Sequence, residues 1–215
     1  EIIEEDHWRF AGTNGADNQT AGSCAGGGSE TVIPFTVPAA GTYTISTVNN
    51  AEYDTTLYVR TTCNLPDTEV ICNDDVAGSL RSLVAIENAV EGDTWYIFVD
   101  AFSGGAEQDF ALDVIRADGV EAPTINGGRT GMSNGEVNVL VDATDNNGDA
   151  VSASFQLLQG GVAVGLPTNV VQSSGIGNRA ASFTATLPIA EGEPNQVSVT
   201  VTDLTDNTSE AFVLD

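Results

Sequence analysis

No lysine occurs anywhere in this chain, and only six arginines stand against 31 acidic residues, leaving a formal charge of −25. Phosphate backbones and anionic lipid headgroups repel such a surface, so nucleic acid and membranes are poor partners. Cations, or a salty calcium-rich medium that screens the self-repulsion, suit it better; an acidic surface kept only for solubility is the plainer alternative. There is no apolar run of roughly 18 residues, the length a membrane-crossing helix needs, so no membrane insertion is expected. The chain has no initiator methionine, and Glu1 reads as the end left by a removed signal peptide or as a fragment boundary.

Catalytic signatures are equally scarce. The single histidine, His7, would have to supply any Ser-His-Asp or Cys-His base, and no G-x-S-x-G elbow accompanies it. His7 reads as an ordinary strand or tail residue, and the chain as no enzyme. The glycine-rich "CAGGGSE" lacks the Lys and Ser/Thr of a phosphate loop. Cys24, Cys63 and Cys72 lack the C-x2-C spacing of a zinc site and favour an oxidising compartment, with Cys63 and Cys72 the expected disulfide. Closing that loop of about ten residues would contribute roughly 2.5 to 3 kcal/mol. Cys24 is then left over.

What is present is alternation. Ile33, Phe35 and Val37; Tyr43 and Ile45; Leu57 and Val59; Trp95, Ile97 and Val99; Phe110, Leu112 and Val114 each repeat every second residue, as half-buried strands do. Turn-forming clusters such as "NNAEYD" and "AFSGGAEQD" separate them. The pattern breaks around Pro123 and resumes with Val137, Val139 and Val141; Val151, Ala153, Phe155 and Leu157; Phe183, Ala185 and Leu187; Val197, Val199 and Val201; Phe212 and Leu214. This predicts an all-β chain of two tandem β-sandwiches: residues 1–116, a linker over 117–123, and residues 124–215 with about seven strands.

The runs "GTNGADNQTAGSCAGGGSETVIPFTVPAAGTYTIST", "YDTTLYVRTTC", "EVICNDD" and "GDTWYIFVDAFSGGAEQDFALDV" are similar to the bacterial pre-peptidase C-terminal (PPC) domain over residues 10–114. The resemblance implies a jelly-roll-like sandwich, an accessory module of secreted enzymes and surface proteins, without catalytic residues, in a family of which some members bind calcium, collagen or polysaccharide. Ala101 stands where that family tends to have glycine. In the second half, "VNVLVDATDNNGDAVSASFQL" and "NQVSVTVTDLTDNTSEAFVL" resemble bacterial immunoglobulin-like domains, and the cysteine pair of antibody domains is absent.

Two acidic groupings are candidate calcium sites, since calcium takes six to eight oxygens from loops. Asp54, Asn73, Asp74, Asp75 and Asp100 are expected at one end of the first sandwich. Asp142, Asp145, Asp149, Asp203 and Asp206 are expected at one end of the second, at the junction, where the linker adds Asp118 and Glu121. Each set reads equally as turn caps bonding backbone N–H groups. Two functions fit: an extracellular or cell-surface structural or adhesive protein, such as a fibre subunit, stabilised by Ca2+ and self-associating or binding other surface proteins; or an accessory polysaccharide- or protein-binding module of a larger secreted hydrolase. For the first, Ile2 and Ile3 in "EIIEE" are expected to add a strand to a neighbouring subunit. For the second, Tyr53, Tyr58, Tyr96 and Phe102 are candidate sugar-stacking surfaces.

Overall fold

The computed structural model describes residues 2–4, 6–15, 18–48, 51, 53–76, 79–104, 108–117, 121–171, 179–188 and 195–215. These are almost entirely β-strand, in two compact units, Glu1–Val120 and Glu121–Asp215.

The first unit contains β1 (Ile2–Glu4), β2 (His7–Thr13), β3 (Glu30–Thr36), β4 (Gly41–Ser46), β5 (Thr55–Arg60), β6 (Glu69–Asn73), β7 (Leu83–Ala89), β8 (Thr94–Ala101) and β9 (Asp109–Ala117). They form two antiparallel sheets, ordered β1-β2-β9-β4-β7 and β3-β8-β5-β6. Their inner faces carry the alternating residues: Leu57 and Val59, Trp95, Ile97 and Val99, Tyr43 and Ile45, Leu112 and Val114. Aromatic rings fill the space between, with Tyr43 edge-on to Trp95 at 5.3 Å and Trp8 edge-on to Phe35 at 5.7 Å. Such contacts add about 0.5–1.5 kcal/mol each beyond burial.

Ile2 and Ile3 lie in β1, which pairs within its own unit. The backbone turns tightly through Asp6, at φ 60°, and folds β1 back against β2, pairing Ile2 with Trp8 and Glu4 with His7. The expected donor strand is the edge of its own sheet. His7, in β2, is buried, with Nε2 3.0 Å from Asp113 Oδ1; Arg9 clamps the same carboxylate through Nε at 2.7 Å and Nη2 at 2.8 Å.

The outer face of β3-β8-β5-β6 is roofed by a strap, residues 18–28. The Arg60 guanidinium lies beneath it, 4.8 Å from the Tyr58 ring and 4.9 Å from the Phe98 ring, and donates to Thr20 Oγ1 and the Ala21 carbonyl. Glu30 accepts from the Gln19 amide and Glu69 from the Ser23 amide. The disulfide belongs to this strap. It joins Cys24 to Cys72, not Cys63 to Cys72 as the local spacing suggested, and Cys63 is free. Cys72 lies opposite Tyr58 in the β5–β6 register and so faces outward, under the strap, where Cys24 arrives with a Cα–Cα separation of 5.7 Å. Tyr58 is likewise fully buried, stacked on Phe98, and presents no surface to a sugar. Tyr53 and Tyr96 are half-buried, and Phe102 is exposed.

The second unit contains β10 (Thr124–Ser133), β11 (Glu136–Thr144), β12 (Ala150–Gln159), β13 (Val162–Ala163), β14 (Thr168–Val171), β15 (Ala180–Pro188), β16 (Asn195–Asp203) and β17 (Phe212–Leu214). One sheet is β10-β11-β15; the other is β13-β12-β16-β17, with β14 also pairing β12. Val137, Val139, Val141, Phe155, Phe183, Val199 and Val201 make its core. One expected alternation fails. Ala150 and Ala153 are buried while Val151 is not, because the β12–β16 register shifts between Ala150 and Ser152. A bulge of this kind reverses which side chains face inward, and here it immediately follows Asp149.

Candidate metal centre

The loop after β11, "DNNGD", and the turn after β16, "DLTDN", meet at one end of the second sandwich. Asp145, Asp149 and Asp203 there offer carboxylate oxygens that all lie within 4.8 Å of one another, and all three residues are buried. Each loop is shaped by one of its own aspartates. Asp145 Oδ1 accepts from the amides of Asn147 at 2.8 Å and Gly148 at 3.2 Å. Asp203 Oδ1 accepts from the Thr205 and Asn207 amides, and Oδ2 from Asn207 Nδ2. These are the turn-capping bonds that short acidic side chains make.

Capping does not use up the cluster. Asp145 Oδ2, both oxygens of Asp149 and the whole side-chain amide of Asn147 are buried without a hydrogen-bond partner. Two unit charges 4.8 Å apart repel by about 3.5 kcal/mol at an effective dielectric of about 20. Burial, then Asp145, then Asp203 raise Asp149 to about 8; burial chiefly, with Asp203 adding, raises Asp145 to about 6. Oxygens of this kind, converging and undercoordinated, suit a hard cation: Asp145, Asp149, Asp203 and the Asn147 amide oxygen supply the side-chain ligands, and carbonyls or water the remainder. Asn147 was not anticipated; its signal is the D-x-N-x-D spacing of residues 145–149.

The other acids expected with this group lie apart from it. Asp142 is exposed and accepts from Ser182 Oγ at 2.6 Å; strand alternation sends it to the outer face of β11. Asp206 is exposed in the turn at φ 67°. Asp118 falls outside the described residues, while Glu121 accepts from Asn146 Nδ2 at 2.7 Å.

In the first unit Asp54, Asp74 and Asp75 form a second, shallower group, with Asp75 exposed. Burial, then Asp75 and Asp74, raise the Asp54 carboxyl. Asp74 accepts from Thr56 Oγ1, and Asn73 braces the turn, accepting the Leu83 amide and donating to the Asp75 carbonyl. Asp100 is not in this group; it lies beneath the strap.

No family model matches the chain, and no curated protein does. Solved structures similar to it include a GH2 β-galacturonidase from Eisenbergiella tayi, at TM-score 0.35 and 9% identity, covering 100% of this chain and 42% of the enzyme. A β-glucuronidase from Ruminococcus gnavus gives TM-score 0.29 and 10% identity, covering 86% and 35%. The β-glucuronidase of Bacteroides uniformis gives 0.32 and 11%, covering 86% and 25%. The chain thus spans less than half of these enzymes, and likeness this slight carries no activity across.

Proposed function

We propose that this chain is a non-catalytic structural or adhesive module of an extracellular protein, and that its second sandwich is locked by calcium held at Asp145, Asn147, Asp149 and Asp203. The observation that carries the reading is the set of three mutually close, fully buried carboxylates with oxygens left unpaired. Cytosolic calcium is scarce, whereas an extracellular medium keeps such a site filled, and the disulfide fits the same oxidising environment. The sole histidine supports a non-catalytic reading, being committed to a buried ion network with Asp113. The resemblance of the first half to PPC domains agrees with an accessory or surface role.

The test is calorimetric. Calcium titrated into chelator-stripped protein should give binding heat, and the unfolding transition of the second unit should rise. At calcium a thousandfold above Kd the gain is about 4 kcal/mol, or some 15 °C or more for a unit of about a hundred residues. Asp149→Asn should abolish both effects. A variant that kept the heat and the shift would sink the assignment.

A further inference from the structure

The buried acid that the second-sandwich site leaves unexplained is Asp100. In the β3–β8–β5 register Glu30, Asp100 and Thr56 form one row, with Phe98 and Tyr58 in the next row on the same outer face. The strap closes over them. The Gly26 backbone lies so near that a Cβ there would come within 2.6 Å of Asp100 Oδ2. Asp100 is wholly buried, and neither of its oxygens has a hydrogen-bond partner. The Gly28 and Ala101 amides favour its charged form only weakly, because Gly28 donates to the Ala101 carbonyl and Ala101 to the Ser29 carbonyl. The Tyr58 hydroxyl is also buried without a full hydrogen bond, Thr20 interacting with it only weakly.

Nor does Arg60 neutralise the acid. Arg60 stands two rows along the face, with its terminal nitrogens given to Thr20 and Ala21 and its plane to the two rings. An ionised carboxylate here receives no full hydrogen bond, and a protonated one makes none, so neither form is satisfied by the protein alone. Burial, then the Glu30 charge, raise Asp100 to about 7, and burial, then Asp100, raise Tyr58. Apart from Arg60 Nε, two rows along the face, the uncommitted atoms of Asp100 and Tyr58 are oxygens.

We propose that Asp100, Glu30 and the Tyr58 hydroxyl, roofed by residues 18–28, form a second cation site in the first unit, selective for a hard divalent ion of the calcium class. Two carboxylates and a phenol offer a mixed, oxygen-only set, which strap carbonyls or water complete. The site is separate from Asp54, Asp74 and Asp75, and its ion bridges strap to sheet alongside the disulfide.

Terbium(III), a luminescent stand-in for calcium, tests this on the full chain. Every tyrosine and tryptophan lies at or before residue 96, so all the sensitising rings belong to the first unit, and Asp149→Asn serves as the control for the other site. Wild type should show sensitised emission that calcium chloride displaces. Asp100→Asn should weaken terbium binding about tenfold or more, and Tyr58→Phe should cut the emission intensity. Asp74→Asn and Asp149→Asn should leave both intact. Far-UV circular dichroism checks that the variants fold, with the Tyr58→Phe intensity as the second readout if Asp100→Asn does not. Absent emission in wild type, emission unchanged in Asp100→Asn and Tyr58→Phe, or emission lost in Asp74→Asn would each overturn the site. Because Asp149→Asn removes only the site that the proposed function rests on, failure of one reading is distinguishable from failure of the other.

Discussion

All three cysteines, all four tyrosines and both tryptophans fall within the first unit; residues 121–215 contain none of them. The first unit packs large rings between its sheets and covers one outer face with a strap held by a disulfide and by a buried arginine. The second packs valine, alanine, leucine and two phenylalanines, and gathers three buried aspartates at one end. The contrast shows two solutions to one problem. A sandwich must tie down the loops that cross it, and a small unit has little core energy to spare for doing so. One unit does it covalently and with an internal cation from its own sequence. The other draws buried carboxylates together where two of its loops meet.

The largest break in that contrast should come from Arg60. Arg60→Ala removes the group that satisfies Thr20 and the Ala21 carbonyl and deprives Glu69, 3.8 Å away, of its counter-charge. Breaking a buried ionic group of this kind costs about 3–5 kcal/mol. Tryptophan fluorescence during urea unfolding should show the first unit weakened, while the second, silent to that probe, keeps its transition by circular dichroism.

Cys24→Ser should follow. Opening a link that spans 48 residues costs about 2–4 kcal/mol, again confined to the first unit. Cys63→Ser should change the same midpoint by less than about 0.5 kcal/mol. A reversal of those two effects would restore the local Cys63–Cys72 pairing.

The second unit should respond to pH in the opposite sense from an ordinary salt-bridged protein. Asp149 is raised from 3.8 to about 8 in the folded chain. Its stabilising contribution is therefore complete below the unfolded value and is lost as pH rises through the folded one. Chelator-stripped protein should thus lose stability steadily from about pH 4 to pH 8, and calcium should restore most at the alkaline end. Thermal melts followed by circular dichroism, with and without calcium, check this; a flat stripped profile would contradict it. The smallest effect belongs to Asp142→Ala, which should leave calcium affinity unchanged and stability within about 0.5 kcal/mol, as expected of an exposed strand residue.

The strands and both cores were legible because alternation alone decides which residues of a half-buried strand face inward: Val137, Val139 and Val141, or Trp95, Ile97 and Val99, needed no further information. Val151 was misread because a bulge leaves no trace in the alternation. The gathering of Asp145, Asp149 and Asp203 was legible from two acidic loops at one end of a sandwich, but their burial was not, and so Asp142 and Asp206 could not be set aside. The cysteine partner was hidden for a different reason. Spacing along the chain favoured Cys63, whereas the choice was made by the side of β6 on which Cys72 emerges and by a strap arriving from 48 residues earlier.

The glycines of that strap limit how this sequence can drift. At Gly22 a methyl group would sit 2.6 Å from the Cys72 sulfur and 2.7 Å from the Tyr58 ring, and at Gly28 it would sit 2.6 Å from the Ala101 side chain. At Gly27 the nearest atom is 3.9 Å away. A run that looks like slack linker is in fact a close-fitting seam, and random substitution across it should return variation at residue 27 and almost none at 22 or 28. Ala101 shares that restriction from the other side, since any larger residue there would face the strap at Gly28; and because a methyl at Gly28 would also meet the Ala101 and Gly104 carbonyls at 2.6 and 2.7 Å, no change at residue 101 would free position 28.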